Sequence, residues 1–257
     1  MKFIDISMTL ENDVPSDPEI VMPKIEYQDH EDTKEAMASL LGPDATPDDL
    51  STGLGYANEK IIAYSHSATH LDAPWHYYPT MNNGERAWGI DEIPLEWCFG
   101  DGVVADFSEK PDGYEVTGED FEEYFKKIDY TLKPKDIVLI MSGAQRNWGK
   151  PEYINSGCGV GRDGTMYLLD RGIRVCGTDA WGWDPPFKYM AENYKKTGDK
   201  SKIWGGHLAG MEKAYCHLEK LVNLDKLPPY GFKVCCFPIK VKGASAGWTR
   251  AVAIIDE

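Results

Sequence analysis

Apolar positions recur along the chain in short runs, and these runs predict a protein rich in strands. Residues 3–10 (F-I-D-I-S-M-T-L) alternate between apolar and polar positions, which is typical of a strand with one buried face. Apolar runs that predict further strands lie at 59–64, 102–107, 136–142, 173–177, 232–241 and 249–255. A glycine-rich loop over 242–247 separates the last two runs.

Helical signals stand between several of these strands. Thr117, followed by acidic residues and the amphipathic run F-E-E-Y-F-K-K, predicts a capped helix. A second helix is predicted over 165–171, where Gly172 ends it, and a third begins at His207. The mixture of strands and helices predicts a single α/β domain over residues 1–257, with a mixed sheet and flanking helices.

The segment 11–56 interrupts this pattern because it is polar and rich in Pro, Asp and Glu. A short helix is expected over 32–41, and the remainder is expected to be loop. Long loops in compact proteins are often lids or binding segments, so the segment is a candidate lid.

Composition is that of an ordinary globular protein, with 42% hydrophobic and 27% charged residues among 257. The formal net charge of −15 argues against nucleic acid or an anionic membrane as a partner, because both attract basic surfaces. The six cysteines form no C-x-x-C pair, and residues 1–5 lack the apolar core of a signal peptide. No apolar run reaches membrane-spanning length. We therefore expect a cytoplasmic protein whose partner is a small-molecule substrate.

Candidate chemistry is concentrated in residues 65–78, S-H-S-A-T-H-L-D-A-P-W-H-Y-Y. His66, His70 and Asp72 offer two imidazoles and a carboxylate, the usual ligands of a divalent cation that keeps an open position for water or substrate. A structural zinc site is less favoured, because such sites are commonly closed by cysteines and this segment contains none. A chance grouping is also disfavoured by the density of suitable side chains.

The spacing of these residues constrains the backbone. His70 and Asp72 share one face of an extended chain, about 6–7 Å apart. His66 and His70 would be about 13 Å apart in a straight strand but about 5–6 Å apart on a helical turn, so the chain must curl at Ser67 and Ala68. His76 has the same parity as His70 and Asp72 and is expected to face the same pocket from behind the ligands.

Several residues are candidates for substrate contact. Aromatic side chains follow the predicted strand at 173–177 and also lie within the histidine segment, and polar candidates lie near the carboxy terminus. The candidates are Trp75, Trp181, Trp183 and Phe187 as aromatic walls, with Ser245 and Arg250 as polar contacts. Core or interface packing is the alternative for the tryptophans, and an ion pair in the closing strand is the alternative for Arg250.

The histidine segment resembles a known family signature. H-S-A-T-H-L-D-A-P-W-H is similar to H-x-G-T-H-x-D-x-P-x-H of the cyclase family of metal-dependent hydrolases, which includes bacterial kynurenine formamidase and isatin hydrolase. The resemblance continues in I-D-I-S-M-T-L, in G-T-D-A-W, in L-E-K-L-V-N-L and in F-P-I-K-V-K-G-A-S-A-G-W-T-R-A-V-A. Trp75, just before the last motif histidine, gives the chain its closest likeness to isatin hydrolases. Ala68 departs from the motif, which has glycine there.

The resemblance implies a swivelling β/β/α domain that assembles as a homodimer or homotetramer. It implies one or two divalent metal ions per subunit, Mn or Zn, and a catalytic acid/base. The implied metal ligands are His66, His70, Asp72, His207 and Glu219, and the implied catalytic residue is His76.

The implied reaction is attack of metal-bound hydroxide on an amide carbonyl, which opens a cyclic amide such as an isatin-like lactam or cleaves an aryl formamide. N-Formylkynurenine formamidase is an alternative within the same class. A non-haem iron oxygenase that uses His66, His70 and Asp72 as its facial triad is an alternative from another class. A metal-binding protein without catalysis is a third.

Overall fold

The computed structural model describes residues 1–256, and its main element is a nine-stranded mixed sheet. The strands are β1 (Lys2–Asp5), β2 (Lys24–Gln28), β3 (Asn58–Ile62), β4 (His70–Asp72), β5 (Thr80–Met81), β6 (Glu85–Arg86), β7 (Phe99–Asp106), β8 (Glu115–Val116), β9 (Ile137–Met141), β10 (Gly159–Val160), β11 (Val175–Thr178), β12 (Cys216–Glu219), β13 (Tyr230–Cys235), β14 (Ala246–Trp248) and β15 (Val252–Ile255). The helices are α1 (Lys34–Ser39), α2 (Pro74–Tyr77), α3 (Gly118–Lys127), α4 (Arg162–Asp170), α5 (Phe187–Thr197) and α6 (Gly205–Leu208).

The strand order of the large sheet is β1-β15-β13-β7-β9-β11-β12-β4-β14. Its central strands β7, β9, β11 and β12 run parallel, and the strands on both flanks are antiparallel. Parallel strands are covered on both faces, which explains the continuous apolar sequence of β9. This arrangement confirms the predicted α/β class, a mixed sheet with flanking helices.

Each face of the sheet has its own hydrophobic core. Alternate residues of β9 divide between them, with Leu139 in one core and Val138 in the other. Helices α3 and α4 pack together over the second core, to which α3 contributes Phe121 and Phe125. The predicted cap of α3 is confirmed, since Thr117 accepts a hydrogen bond from the backbone N–H at the third position of the helix.

The structure differs from the sequence prediction at several places. The strand predicted over 3–10 ends at Asp5, and the strand predicted over 232–241 ends at Cys235. Segment 11–56 holds the expected short helix as α1 but also β2, which pairs antiparallel with β3. This two-stranded ribbon lies outside the large sheet, and every side chain of β3 is exposed.

Among residues 1–256, no helix is both long enough and apolar enough to cross a membrane. The cysteines are free thiols.

Candidate metal centre

The pairing of β4 with β12 brings ligand-type side chains together on one face of the sheet. His70 lies opposite Glu219, and Asp72 lies opposite His217. Side chains opposite one another in an antiparallel pair have Cβ atoms about 4.5–5.5 Å apart, and residues two apart share a face. The intervening leucines, Leu71 and Leu218, point to the other face and belong to its core.

The chain curls before β4, as the spacing of His66 and His70 predicts. Ala68 adopts a left-handed φ of +51°, which turns the backbone and brings Nδ1 of His66 to 2.9 Å from Oδ1 of Asp72. Nδ1 of His70 donates to the carbonyl of Ala68 at 2.8 Å, so Nε2 is free to face Oδ1 of Asp72 at 3.2 Å. His66 is held from behind by Ser245, whose Oγ lies 3.0 Å from Nε2.

His76 reaches the centre by a different backbone path from the one predicted. The parity argument assumed an extended chain, but Pro74 occupies the first position of α2 and the chain makes a helical turn. Nε2 of His76 nevertheless lies 3.8 Å from Oδ2 of Asp72, because the turn that begins at Pro74 brings His76 back beside the end of β4.

His207, at the buried end of α6, approaches the cluster from the opposite side. Its Nδ1 lies 2.6 Å from Oδ2 of Asp184, and the same carboxylate accepts the backbone N–H groups of Gly206 and His207. Nε2 is thereby directed towards Glu219, 3.7 Å from Oε1.

His217 is a site residue that the sequence analysis missed. It is fully buried, with Nε2 3.2 Å from Oδ2 of Asp72 and 3.1 Å from Oε1 of Glu219. The available signal was its position two residues before Glu219. This spacing places His217 and Glu219 on the same face only if the segment is a strand. Strand β12 is too short to be recognised from its apolar pattern.

The donor set suits a divalent cation. Ligand atoms form two groups, and within each group the atoms lie within 4.8 Å of one another. One group comes from Asp72, His207, His217 and Glu219, and the other comes from His66, Asp72 and His76. His70 belongs to neither group, although its Nε2 faces Asp72 and lies 3.5 Å from Oε2 of Glu219. Nε2 of His70 and both carboxylate oxygens of Asp72 are buried and find no hydrogen-bond partner within residues 1–256. Such atoms are costly unless a cation satisfies them.

The electrostatics of the cluster also favour bound positive charge. Burial opposes protonation of His70 and His217, but Asp72 and Glu219 outweigh it and raise the pKa of each imidazole to about 9. Burial likewise opposes ionisation of Asp72, yet the surrounding histidines hold the pKa of this carboxyl well below its usual range. The carboxylates therefore attract protons or a metal ion to the same place.

His76 differs from these histidines. Burial is the main cause that lowers its pKa to about 4, and the neighbouring His66 and His207 act in the same direction. The imidazole is therefore neutral near pH 7 and has a lone pair available to accept a proton.

A cavity of about 180 Å³ adjoins the cluster. Its polar lining includes His66, His76, His207 and Glu219. Its apolar lining includes Ile154, Trp181, Pro186, Phe187, Met190 and Trp204. The candidates Trp181 and Phe187 therefore line the cavity, as the prediction of aromatic walls requires. Trp204, which the sequence analysis did not single out, stacks on His207 with 4.3 Å between the ring centroids.

The other substrate-contact candidates do not line this cavity. Trp183 is buried behind the cluster and donates its indole N–H to Thr165, so the expectation of a wall at this position is corrected to a supporting role. Arg250 pairs with Asp5 at 2.8 Å, the alternative that the sequence left open. Trp75 is 47% exposed, and Ser245 bonds to His66 as described.

The edge of the cavity contains a buried ion pair. Nζ of Lys220 lies 2.6 Å from Oδ1 of Asp17, and the same oxygen accepts the indole N–H of Trp181 at 2.6 Å. Asp17 comes from the segment 11–56, so part of the candidate lid is attached to the wall of the site. The role of segment 11–56 as a lid that opens stays a prediction.

Together, the mixed sheet with flanking helices and the buried cluster of histidines and carboxylates define an α/β protein with a candidate site for a divalent cation. Residues 4–185 match the family model described as "Putative cyclase". The chain belongs to the cyclase family, which confirms the resemblance carried by the histidine segment.

Relatives and solved structures agree with this assignment. The kynurenine formamidase of Salinibacter ruber is 24% identical over 205 residues, which cover 80% of this chain and 81% of the relative. Cyclase-like protein 3 of Oryza sativa subsp. japonica is 22% identical over 81% of this chain and 69% of its own length. Isatin hydrolase A from Labrenzia aggregata has a TM-score of 0.75 at 23% identity, covering 100% of this chain and 94% of that chain. An isatin hydrolase bound to the product analogue thioisatinate also has a TM-score of 0.75, at 20% identity, covering 100% of this chain and 93% of that one. At these identities the structural likeness establishes the fold.

Proposed function

We propose that the protein hydrolyses the C–N bond of a small neutral amide, either a cyclic amide such as an isatin-like lactam or an aryl formamide. The observation that carries this proposal is the position of the cavity. Its lining combines apolar and aromatic side chains with His66, His76, His207 and Glu219. A flat substrate in this cavity would place its carbonyl next to these polar groups.

The residues fitted to hold a divalent cation are His66, His70, Asp72, His207 and Glu219. Oδ1 of Asp72 faces His66 and His70, and Asp72 also shares a group of ligand atoms with His207 and Glu219. A cation bound there supplies Lewis acidity and lowers the pKa of a coordinated water. Nitrogen and oxygen ligands of this kind serve manganese and zinc alike, and we include both metals in the proposal.

His76 is proposed as the acid/base. In amide hydrolysis a water oxygen adds to the carbonyl carbon, the C–N bond breaks, and a proton must move from the water to the leaving nitrogen. His76 is neutral near pH 7, faces the cavity and is adjacent to Asp72. It can therefore accept the proton at Nε2 and return it to the nitrogen.

Charge in the cavity favours a neutral substrate. Apart from the histidines, the basic side chain among the described residues of the lining is Lys220, and its ammonium is already paired with Asp17 and bonded to the carbonyl of His66. N-Formylkynurenine carries a charged amino-acid group that would need partners of its own. A lactam without such a group fits the lining better, and formamidase activity on N-formylkynurenine remains the second candidate.

The discriminating experiment compares isatin, N-formylkynurenine and a simple cyclic imide under anaerobic conditions with Mn²⁺ or Zn²⁺. The proposal expects hydrolysis of the lactam without oxygen, with kcat/KM higher than for N-formylkynurenine. Preference for N-formylkynurenine would establish the formamidase alternative. Turnover that requires oxygen would support the oxygenase, and no hydrolysis of any amide would support a metal-binding protein without catalysis.

A further inference from the structure

A second cavity, of about 220 Å³, adjoins the cavity described above. His66, Trp181 and Lys220 line both cavities, so the two spaces share a wall. Asp17 and Ser67 line only the second cavity. A substrate bound in the first cavity would have this second space beside it, and the hydrolysis proposed above makes no use of it.

The hydroxyl of Ser67 is the first polar group in this second cavity. Ser67 is only 2% exposed, and its Oγ finds no hydrogen-bond partner within residues 1–256. A buried hydroxyl without a partner is unfavourable, and folded proteins leave few of them. A polar group of a ligand placed in the second cavity would supply the missing partner.

The ammonium of Lys220 is a second donor in the shared wall. Its Nζ donates to Oδ1 of Asp17 at 2.6 Å and to the carbonyl of His66 at 3.2 Å. An ammonium carries three N–H groups, so one N–H remains for a ligand beyond these two bonds. The same oxygen of Asp17 also accepts the indole N–H of Trp181, which holds the wall together.

The backbone at Lys220 is bent in a way that brings this side chain into the wall. Strand β12 ends at Glu219, and Lys220 follows with a left-handed φ of +59°. In a continued strand Glu219 and Lys220 would point to opposite faces of the sheet, yet both line the first cavity. Left-handed backbone is unfavourable for a residue that has a side chain, and such strain is concentrated at functional sites. The strain therefore indicates a functional position for Lys220.

The charges of the wall determine which ligand group suits the second cavity. Asp17 and Lys220 are both buried and neutralise each other across 2.6 Å. A ligand carboxylate would meet Asp17 without an unpaired cation to offset it, and a ligand ammonium would meet Lys220. The remaining donors, on Ser67 and Lys220, suit an uncharged oxygen that accepts hydrogen bonds.

We propose that the second cavity is a subsite for a neutral substituent of the substrate that carries an accepting oxygen, such as a ketone or amide carbonyl. Ser67 and Lys220 donate to that oxygen, and Asp17 positions Lys220. The inference rests on the proposed function and narrows its substrate from a bare lactam to one with such a substituent. Ser67 and Lys220 determine specificity in this way and take no part in breaking the C–N bond.

The test measures binding to metal-loaded wild type by calorimetry, with indanones as probes, because these flat bicyclic ketones have no C–N bond to hydrolyse. An acetyl group on each benzo-ring carbon in turn is compared with isopropenyl, in which CH₂ replaces the acetyl oxygen. At one ring position the acetyl compound should bind about 10-fold more tightly, because only it accepts the two hydrogen bonds. A carboxylate at that position should bind more weakly than acetyl. Equal Kd values at every position, or tighter binding of the carboxylate, would overturn the proposal.

Ser67→Ala removes one of the two donors. Ser51→Ala is the matched control, because Ser51 is exposed and lines neither cavity. The ratio of the isopropenyl Kd to the acetyl Kd cancels any general effect of a substitution on the site. This ratio should fall about 3-fold or more in Ser67→Ala and should equal that of wild type in Ser51→Ala. An unchanged ratio in Ser67→Ala would contradict the proposed subsite.

The subsite and the proposed function can fail separately. A protein that hydrolyses unsubstituted isatin but shows no preference for the acetyl probe would refute the subsite alone. A preference for the acetyl probe in a protein that hydrolyses no amide would refute the proposed function alone.

Discussion

At the scale of single residues, the two oxygens of Asp72 face different histidines. Oδ1 lies near His66 and His70, and Oδ2 lies near His76 and His217. A carboxylate in this position can supply a ligand oxygen to each side of a metal centre. Substitution of Asp72 should therefore abolish metal binding on both sides. The roles of the individual histidines are separable by experiment.

His76→Ala separates acid/base chemistry from metal binding. If His76 only transfers protons, metal content should equal that of wild type while kcat falls by about 10²–10⁴-fold. Metal analysis and steady-state kinetics of the same preparation provide the measurement. His76 also lies within 4.8 Å of His66 and Asp72, so a fall in bound metal would assign it as a ligand instead.

The raised pKa values of His70 and His217 predict how the metal-free protein responds to pH. A pKa of about 9 in the folded state, against about 6.5 unfolded, gives stability that is fully present below pH 6.5 and is lost as pH rises towards 9. Between pH 6 and 8 the chelated protein should lose about 1–2 kcal/mol of unfolding free energy per histidine. Urea unfolding at the two pH values measures this loss.

Metal-loaded protein is the control for that experiment, because the cation replaces the protons and binds more tightly as pH rises. It should show no comparable loss between pH 6 and 8. A chelated protein that gained stability over this range would show that the carboxylates do not hold these imidazoles charged.

Residue spacing alone predicted the curl at Ala68 and the convergence of His66, His70 and Asp72. It could not predict His217 or Asp184, because their roles depend on which strand lies beside β4 and on where α6 ends. Such long-range pairings leave no periodic signal in the sequence.

At the scale of elements, the apolar runs predicted the presence of strands but not their places in the sheet, since β12 is central without an apolar run and β13 and β15 are flanking strands. Strand β9 and the capped helix α3 follow their patterns closely, since local propensity and burial agree there. Strands β12 and β14 are only four and three residues long, and the pairing partner β4, not their own sequence, determines them. These short strands nevertheless build the site.

Helix α6 is positioned by a close approach at Gly206. A Cβ at this position would lie 2.3 Å from the carbonyl oxygen of Val160 and 2.8 Å from Cδ1 of Trp183. Gly206→Ala should therefore displace α6, cost about 1–3 kcal/mol of unfolding free energy and weaken metal retention through His207. Urea unfolding and metal analysis measure both effects.

Gly182→Ala is the matched control within the same site. Its added Cβ would meet only Oε1 of Glu219, at an ordinary contact distance of 3.7 Å. Stability should change by no more than about 0.5 kcal/mol. Equal destabilisation by both variants would show that packing at Gly206 is not what positions α6.

At the scale of the whole molecule, the ribbon of β2 and β3 is the feature that a monomer explains least well. An isolated two-stranded ribbon is marginally stable in water. On one face Tyr27 is 65% exposed and Ile61 is 45% exposed, and this face continues from the buried Ile25. A second copy of the chain would cover these side chains, in line with the expected homodimer or homotetramer.

We therefore expect light scattering after size exclusion to give a mass two or four times 28.8 kDa. Ile61→Lys should shift the protein towards the monomer, because it places a charge in the covered face. Ile62→Lys, on the opposite and already charged face of the ribbon, should leave the assembly intact. A monomeric wild type would show that the ribbon is not an interface between copies of the chain.

The most direct test of the whole account is the hydrolysis rate of a neutral cyclic amide measured before chelation, after complete removal of metal, and after readdition of Mn²⁺ or Zn²⁺. Because His66, His70, Asp72, His207 and Glu219 are proposed to act through a bound cation, the rate should fall to background on chelation and return with metal. An unchanged rate in protein shown by elemental analysis to contain no metal would contradict the account at its foundation.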